Sequence, residues 1–180
     1  MRRNAFRNQP EAVWRRLAEE QGFAEEYGPR DLDAKLARFV GISPPWARLL
    51  WPNQKSEGEV YDAYTFGTFY PALTGACCLA EALLNALVVR LRAHFRHTLE
   101  YKKVYNKDSF QNWVPVINIL AKWGILDEKA AERLKRLYSI RLEAIHITTL
   151  KNVSGKAREA LEIYSETVSH LFGPSGDLAG

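Results

Sequence analysis

The clearest periodicity in the chain lies between Ala131 and Ile147. Ala131, Leu134, Leu137, Tyr138, Leu142 and Ile145 recur at helical spacing with no Gly or Pro among them, which predicts one long helix carrying them on one side. Ile140, Ala144 and Ile147 widen the stripe until most of the circumference is apolar, so this helix is expected at the centre of the fold. Asp127 is placed to cap it, with Glu128 beside its positive end. A second stripe, Leu73, Cys77, Ala80, Leu84, Leu87, Val88, Leu91 and Phe95, belongs to a helical run expected over 60–96, kinked near Pro71. Val114, Ile117, Leu120 and Ala121 predict a helix over 110–122, capped by Asp108 or Ser109 and ended by Trp123-Gly124, with Pro115 in an early turn. After a turn at 151–155, Ser154 caps a last amphipathic helix bearing Ala157, Leu161, Tyr164, Val168 and Leu171, closed by Gly173-Pro174.

The N-terminal third is more broken. Pro10 suits the first turn of a helix reaching Glu20, with Val13, Trp14 and Leu17 on its apolar face. Gly22 and Gly28-Pro29 punctuate, and Asp31 caps a short helix through Leu36 and Phe39 that Gly41 ends. Ser43-Pro-Pro-Trp46 opens a further short piece at 47–51, stopped by Pro52, and 53–58 is polar and reads as a loop. Residues 1–57 are therefore expected to be an accessory helical layer on, or a partner-binding extension of, a helical domain over 58–173, with a tail at 174–180. No alternation of period two lasts long enough for a strand, so the fold class is all-α.

Composition adds bounds. Hydrophobic residues at 47% and aromatics at 12% describe a globular chain. A net charge of +4 permits contact with nucleic acid or another anionic partner, and equally describes an ordinary solvated surface. Cys77 and Cys78 are adjacent, which does not suit a structural disulfide, and neither has a spaced partner for zinc; buried thiols in a reducing cytoplasm are expected. Met1-Arg-Arg lacks the apolar run of a secretory signal. The most apolar stretch, 70–91, is interrupted by Pro71, Gly75, Glu81, Asn85 and Arg90, so no membrane span is expected.

Against this background one residue stands out. Arg141 falls within the apolar stripe, where a guanidinium that keeps its charge needs an acidic partner, an interface or an anionic ligand. His146, five residues on, is expected at the stripe's edge, converging with Arg141 on one cleft. Glu81 and Asn85, four apart, form one polar column on the second stripe, and Glu81 either pairs with Arg141 or faces water. Together the two residue types suit metal-independent RNA cleavage: an imidazole takes the 2′-hydroxyl proton while a guanidinium holds the phosphate. Equally, an Arg salt-bridged to Glu81 beside a satisfied histidine describes a structural pair. The basic, aromatic stretch holding Arg90, Arg92, Arg96, Lys102 and Lys103 reads either as an RNA contact or as a solvated turn. His94 and His97 stand three apart without a third ligand, and no metal or other cofactor is expected. There is no glycine-rich phosphate loop and no Gly-x-Ser-x-Gly elbow.

Arg141, four intervening residues and His146, late in an all-helical chain, resembles the HEPN family. Residues 76–85 are similar to that family's long early helix, 109–126 to its intermediate helix, and Leu134-x-x-Leu137 leads into the Arg. The resemblance covers roughly 65–172 and implies a HEPN-like bundle forming a two-fold homodimer, with both Arg/His pairs lining one cleft. It implies a cytoplasmic ribonuclease of the toxin or antiviral-defence type, governed by an antitoxin or sensor chain. In that reading Arg141 and His146 are catalytic, with Glu81 and Asn85 in support. Leu142 stands where catalytic members usually carry Asn, Asp or His. Without that polar group the resemblance implies instead a non-catalytic module that dimerises or binds a partner or nucleotide.

Overall fold

In the computed structural model, residues 10–42, 54–110, 112–146 and 150–173 are described, and among them eight α-helices and no strand are found. Helix α5 (Phe69–Leu91) is the axis of the bundle. It packs against α4 (Gln54–Phe66), α6 (Trp113–Lys122), α7 (Glu128–Ile145) and α8 (Val153–Phe172), and buries ten side chains from Ala72 to Val88. Its apolar character follows from that position. By length and hydropathy alone (a mean of 1.8 over its most apolar 18 residues) the run Phe69–Phe95 would pass for a membrane-crossing helix, contrary to the expectation from its interruptions, yet the bundle covers its core-facing residues.

The central place expected for α7 thus belongs to α5. Helix α7 buries Ala130, Ala131, Leu134, Leu137, Ile140 and Ala144, but Leu142 is 44% exposed and Ile145 58%. At ~100° per residue Leu142 projects about 140° from Leu137, away from the buried side, while Ile145 is the last residue of the helix.

Chain breaks follow local chemistry. Gly67, at φ +84°, separates α4 from α5, so the interruption lies at the residue able to adopt a left-handed conformation. Pro71, where a kink is predicted, falls in the first turn of α5, where its missing N–H costs nothing. The loop expected over 53–58 is helical from Gln54, because Glu57 and Tyr61 are buried on the inner side of α4. Glu57 reaches the neighbourhood of Tyr164 on α8, and burial together with that carboxylate raises the Tyr164 phenol above its ordinary pKa. Asn112, not Asp108 or Ser109, caps α6, its side chain accepting from Val114 N at 3.2 Å. Asn152, not Ser154, caps α8 by accepting from Gly155 N at 3.2 Å; it sits at φ 50°, which Asn tolerates better than Ser. Asp127 caps α7 as predicted, accepting from Ala130 N at 2.8 Å.

A second, smaller cluster joins α1 (Glu11–Glu20), α2 (Phe23–Tyr27) and α3 (Leu32–Gly41) around Ala18, Phe23, Tyr27, Leu36 and Phe39. It is tied to α4 by Tyr27 Oη donating to Asp62 (2.8 Å) and Arg38 Nε donating to the Thr65 carbonyl (2.9 Å). The short helix expected at 47–51, the N-terminal residues through Gln9, Ile147 and the tail from Pro174 lie outside the described residues.

Candidate functional site

Three helices meet at one carboxylate. Glu81 of α5 forms an ion pair with Arg141 Nη2 of α7 at 3.1 Å and accepts a hydrogen bond from Trp113 Nε1 of α6 at 3.1 Å, both on the same oxygen. Trp113 is buried, and its indole N–H needs an acceptor there; Glu81 supplies it. The Arg141 guanidinium lies 5.6 Å from the centroid of the Trp113 ring, which adds a cation–π contact. The pairing of Glu81 with Arg141 that the sequence suggested is therefore present. Each side chain keeps about a quarter of its surface open, 26% for Arg141 and 27% for Glu81. Arg141 makes no other hydrogen bond or ion pair among the described residues. A guanidinium carries five donors, more than one carboxylate oxygen can take up.

Beside the pair, between α5 and α7, is a cavity of about 160 Å³ lined by Tyr70, Thr74, Cys77 and Cys78 on one side and Arg141, Ala144 and Ile145 on the other. Tyr70 Oη donates to the Ala144 carbonyl at 3.3 Å and ties the two walls. Arg141 is the only charged residue of the lining. His146 is not part of it. The imidazole belongs to the residue that ends α7, exposed, with its backbone N–H donating to Glu143 O at 3.1 Å. Among the described residues the cavity lining therefore joins Arg141 to Tyr70, Thr74 and the two cysteines and not to His146.

The two thiols separate. Cys77 is buried, and desolvation, reinforced by its neighbour Cys78, pushes its thiol up to about 12. Cys78 is exposed, against the expectation of two buried cysteines, because consecutive helical residues point about 100° apart.

Farther along, Asn85 of the polar column and Arg92, just past α5, serve the chain itself. Asn85 Oδ1 accepts from Phe110 N at 3.1 Å and does not reach the Arg141 pair. Arg92, expected to face RNA, donates to the carbonyls of Val104 (2.8 Å) and Lys107 and approaches Asp108 at 3.5 Å. Arg90, Arg96, Lys102 and Lys103 are exposed. Among the described residues no three His, Cys, Asp or Glu side chains are grouped to hold a metal ion.

Sequence reasoning missed Trp113. It placed Val114 on the apolar face of α6, whereas Val114 is exposed and Trp113, Val116, Ile117, Ile119 and Leu120 are buried. The available signal was the Asn112-Trp113 pair: a good N-cap residue immediately before a large aromatic. No family model, curated protein or solved structure matches the chain.

Proposed function

We propose that the chain is a metal-independent endoribonuclease of the HEPN type that works as a two-fold dimer. One observation carries the reading: Arg141, ion-paired with Glu81 and 5.6 Å from the Trp113 ring centroid, keeps about a quarter of its side chain exposed near the end of a helix that also bears the exposed His146. Exposed Leu142 and Ile145 flank that end and supply an apolar surface for a second copy. A second copy would complete what one chain lacks, a base and an acid facing one phosphate.

In this mechanism one His146 imidazole removes the 2′-hydroxyl proton, and the 2′-oxygen attacks the adjacent phosphorus. The bond from phosphorus to the 5′-oxygen breaks, and the partner copy's imidazolium returns a proton to that oxygen. Arg141 steadies the charge that develops on the phosphate. Glu81 acts by orienting Arg141. Products are a 2′,3′-cyclic phosphate and a 5′-hydroxyl. Control by a separate antitoxin or sensor chain belongs to the same proposal.

The test is end-group analysis of RNA incubated with purified protein in excess EDTA, alongside His146→Ala. Cyclic-phosphate ends that vanish in the variant are expected. Metal dependence, 5′-phosphate products or an equally active variant would reject the mechanism. A second reading, a non-catalytic module binding a partner through the same end of α7, is favoured by Leu142, an apolar side chain next to the phosphate-holding Arg. A well-folded dimer that cuts no RNA would select it.

A further inference from the structure

The chain's charge is unevenly distributed. Residues 90–108 contain six Lys and Arg and two acidic residues, so this stretch carries +4, the formal charge of all 180 residues. The remainder is balanced. Structurally the stretch is the crossover from α5 to α6, built on two 3₁₀ turns, Arg92–Phe95 and Tyr101–Lys103.

The crossover is anchored as a shaped surface. Phe95 stacks on Trp123 at 4.6 Å and 2°, Trp123 Nε1 donates to Thr98 Oγ1 at 3.2 Å, and Val104 is buried. Arg92 holds the Val104 and Lys107 carbonyls, and Asn85 holds Phe110 N. Both acids of the stretch are occupied, Glu100 by Lys122 at 2.9 Å and Asp108 by Arg92. Arg96, Lys102, Lys103 and Lys107 are exposed and make no ion pair among the described residues. Tyr105 is 52% exposed and rests against Tyr101, with centroids 5.9 Å apart. Such a surface carries its cations on an anchored backbone, with planar faces among them.

We propose that this crossover is a preformed binding surface for single-stranded RNA, with Arg96, Lys102, Lys103 and Lys107 neutralising phosphates and Tyr105 stacking on a base. The inference rests on the reading above for its ligand, RNA, and not for the cleavage chemistry. Stacking faces distinguish RNA from an acidic peptide, which has no use for them. A membrane surface fits less well, since Leu99 (75% exposed) is the one aliphatic side chain offered, too little apolar area for anchoring. Arg90 is excluded from the surface: it leaves α5 about 180° from Glu81, whereas Glu81, Asn85 and Arg92 share one side within about 40°.

The experiment measures fluorescence anisotropy of a labelled short single-stranded RNA with full-length His146→Ala protein across a salt series. Four phosphate contacts predict a log–log salt slope of about −3. Lys102→Gln/Lys103→Gln should reduce its magnitude by about 1.4, and Tyr105→Ala should weaken binding about fivefold or more. Arg90→Gln should leave the slope unchanged. Binding unaffected by the double substitution, an equal loss in Arg90→Gln, equal affinity for duplex RNA, or tighter binding to phosphatidylserine vesicles or polyglutamate would each overturn the proposal. RNA bound through these lysines but left uncut by the wild type supports this surface and rejects the ribonuclease. Unaltered binding and cleavage in the double variant reject the surface alone.

Discussion

Glu81 receives a cation from one helix and an indole N–H from another on a single oxygen, so removing either donor has a different meaning. Arg141→Ala leaves Glu81 with Trp113 but without its countercharge. With both side chains about a quarter open, the expected cost is about 1–3 kcal/mol, between a surface pair and a buried one. His146→Ala, at an exposed helix end, should stay within about 0.5 kcal/mol. Urea melts of the two variants check this. A loss at His146 as large as that at Arg141 would assign the imidazole a structural role. The cysteines give a second test at this scale. Iodoacetamide at neutral pH should modify Cys78 and spare Cys77, whose thiol is buried and raised to about 12; in denaturant both should react. Equal labelling of the folded protein would contradict the packing of α5.

At the scale of elements, α4 and α5 approach each other closely. A Cβ at Gly75 would collide with the Val60 side chain, so glycine here permits close packing. Gly75→Ala gains up to about 1 kcal/mol of helix propensity but loses about 1–3 kcal/mol to overpacking, and the net should be destabilising. Val60→Ala in the same chain should recover part of the loss. A double-mutant cycle with no coupling between the two positions would refute the contact. The pairing of α7 with α8 is electrostatic at both ends: Asp127 with His170 at 2.7 Å, and Glu143 with Lys156. Hydrogen bonding to Ala130 N, then to His170, holds the Asp127 carboxyl below its usual pKa, and the Lys156 ammonium does the same for Glu143. A depressed folded-state pKa stabilises above the unfolded value and is lost as pH falls through the folded one. Urea midpoints should therefore drop between about pH 5 and pH 3. A midpoint constant over that range would mean that these pairs add nothing to stability.

For the whole molecule, the exposed end of α7 decides between readings. Leu142 and Ile145 are uncovered beside Arg141, and a two-fold dimer through this face would bury them and bring two His146 side chains near one cleft. Light scattering at micromolar concentration should give twice the chain mass, and Ile145→Lys should shift it to the monomer and abolish RNA cleavage while leaving circular dichroism unchanged. A wild-type monomer that cleaves RNA would remove the dimer from the mechanism.

The sequence by itself determined most of the helices and the cap at Asp127, and it offered the Glu81–Arg141 pair as one of two readings. Each depends on local information: a period of 3.6, a carboxylate at a helix start, and a charge in an apolar stripe that called for an acidic partner, an interface or an anionic ligand. The tertiary structure alone decided which helix is central, because the stripes of α5 and α7 are both broad and only packing shows that α4, α6, α7 and α8 converge on α5. It also decided that Asn85 and Arg92 are occupied by the crossover's backbone groups, since buried peptide N–H and carbonyl groups need partners that no local pattern identifies. The side on which His146 stands was open for the same reason. His146 is the C-cap of α7, at φ −97° and ψ 68°, one residue past the last helical turn, where the periodicity stops.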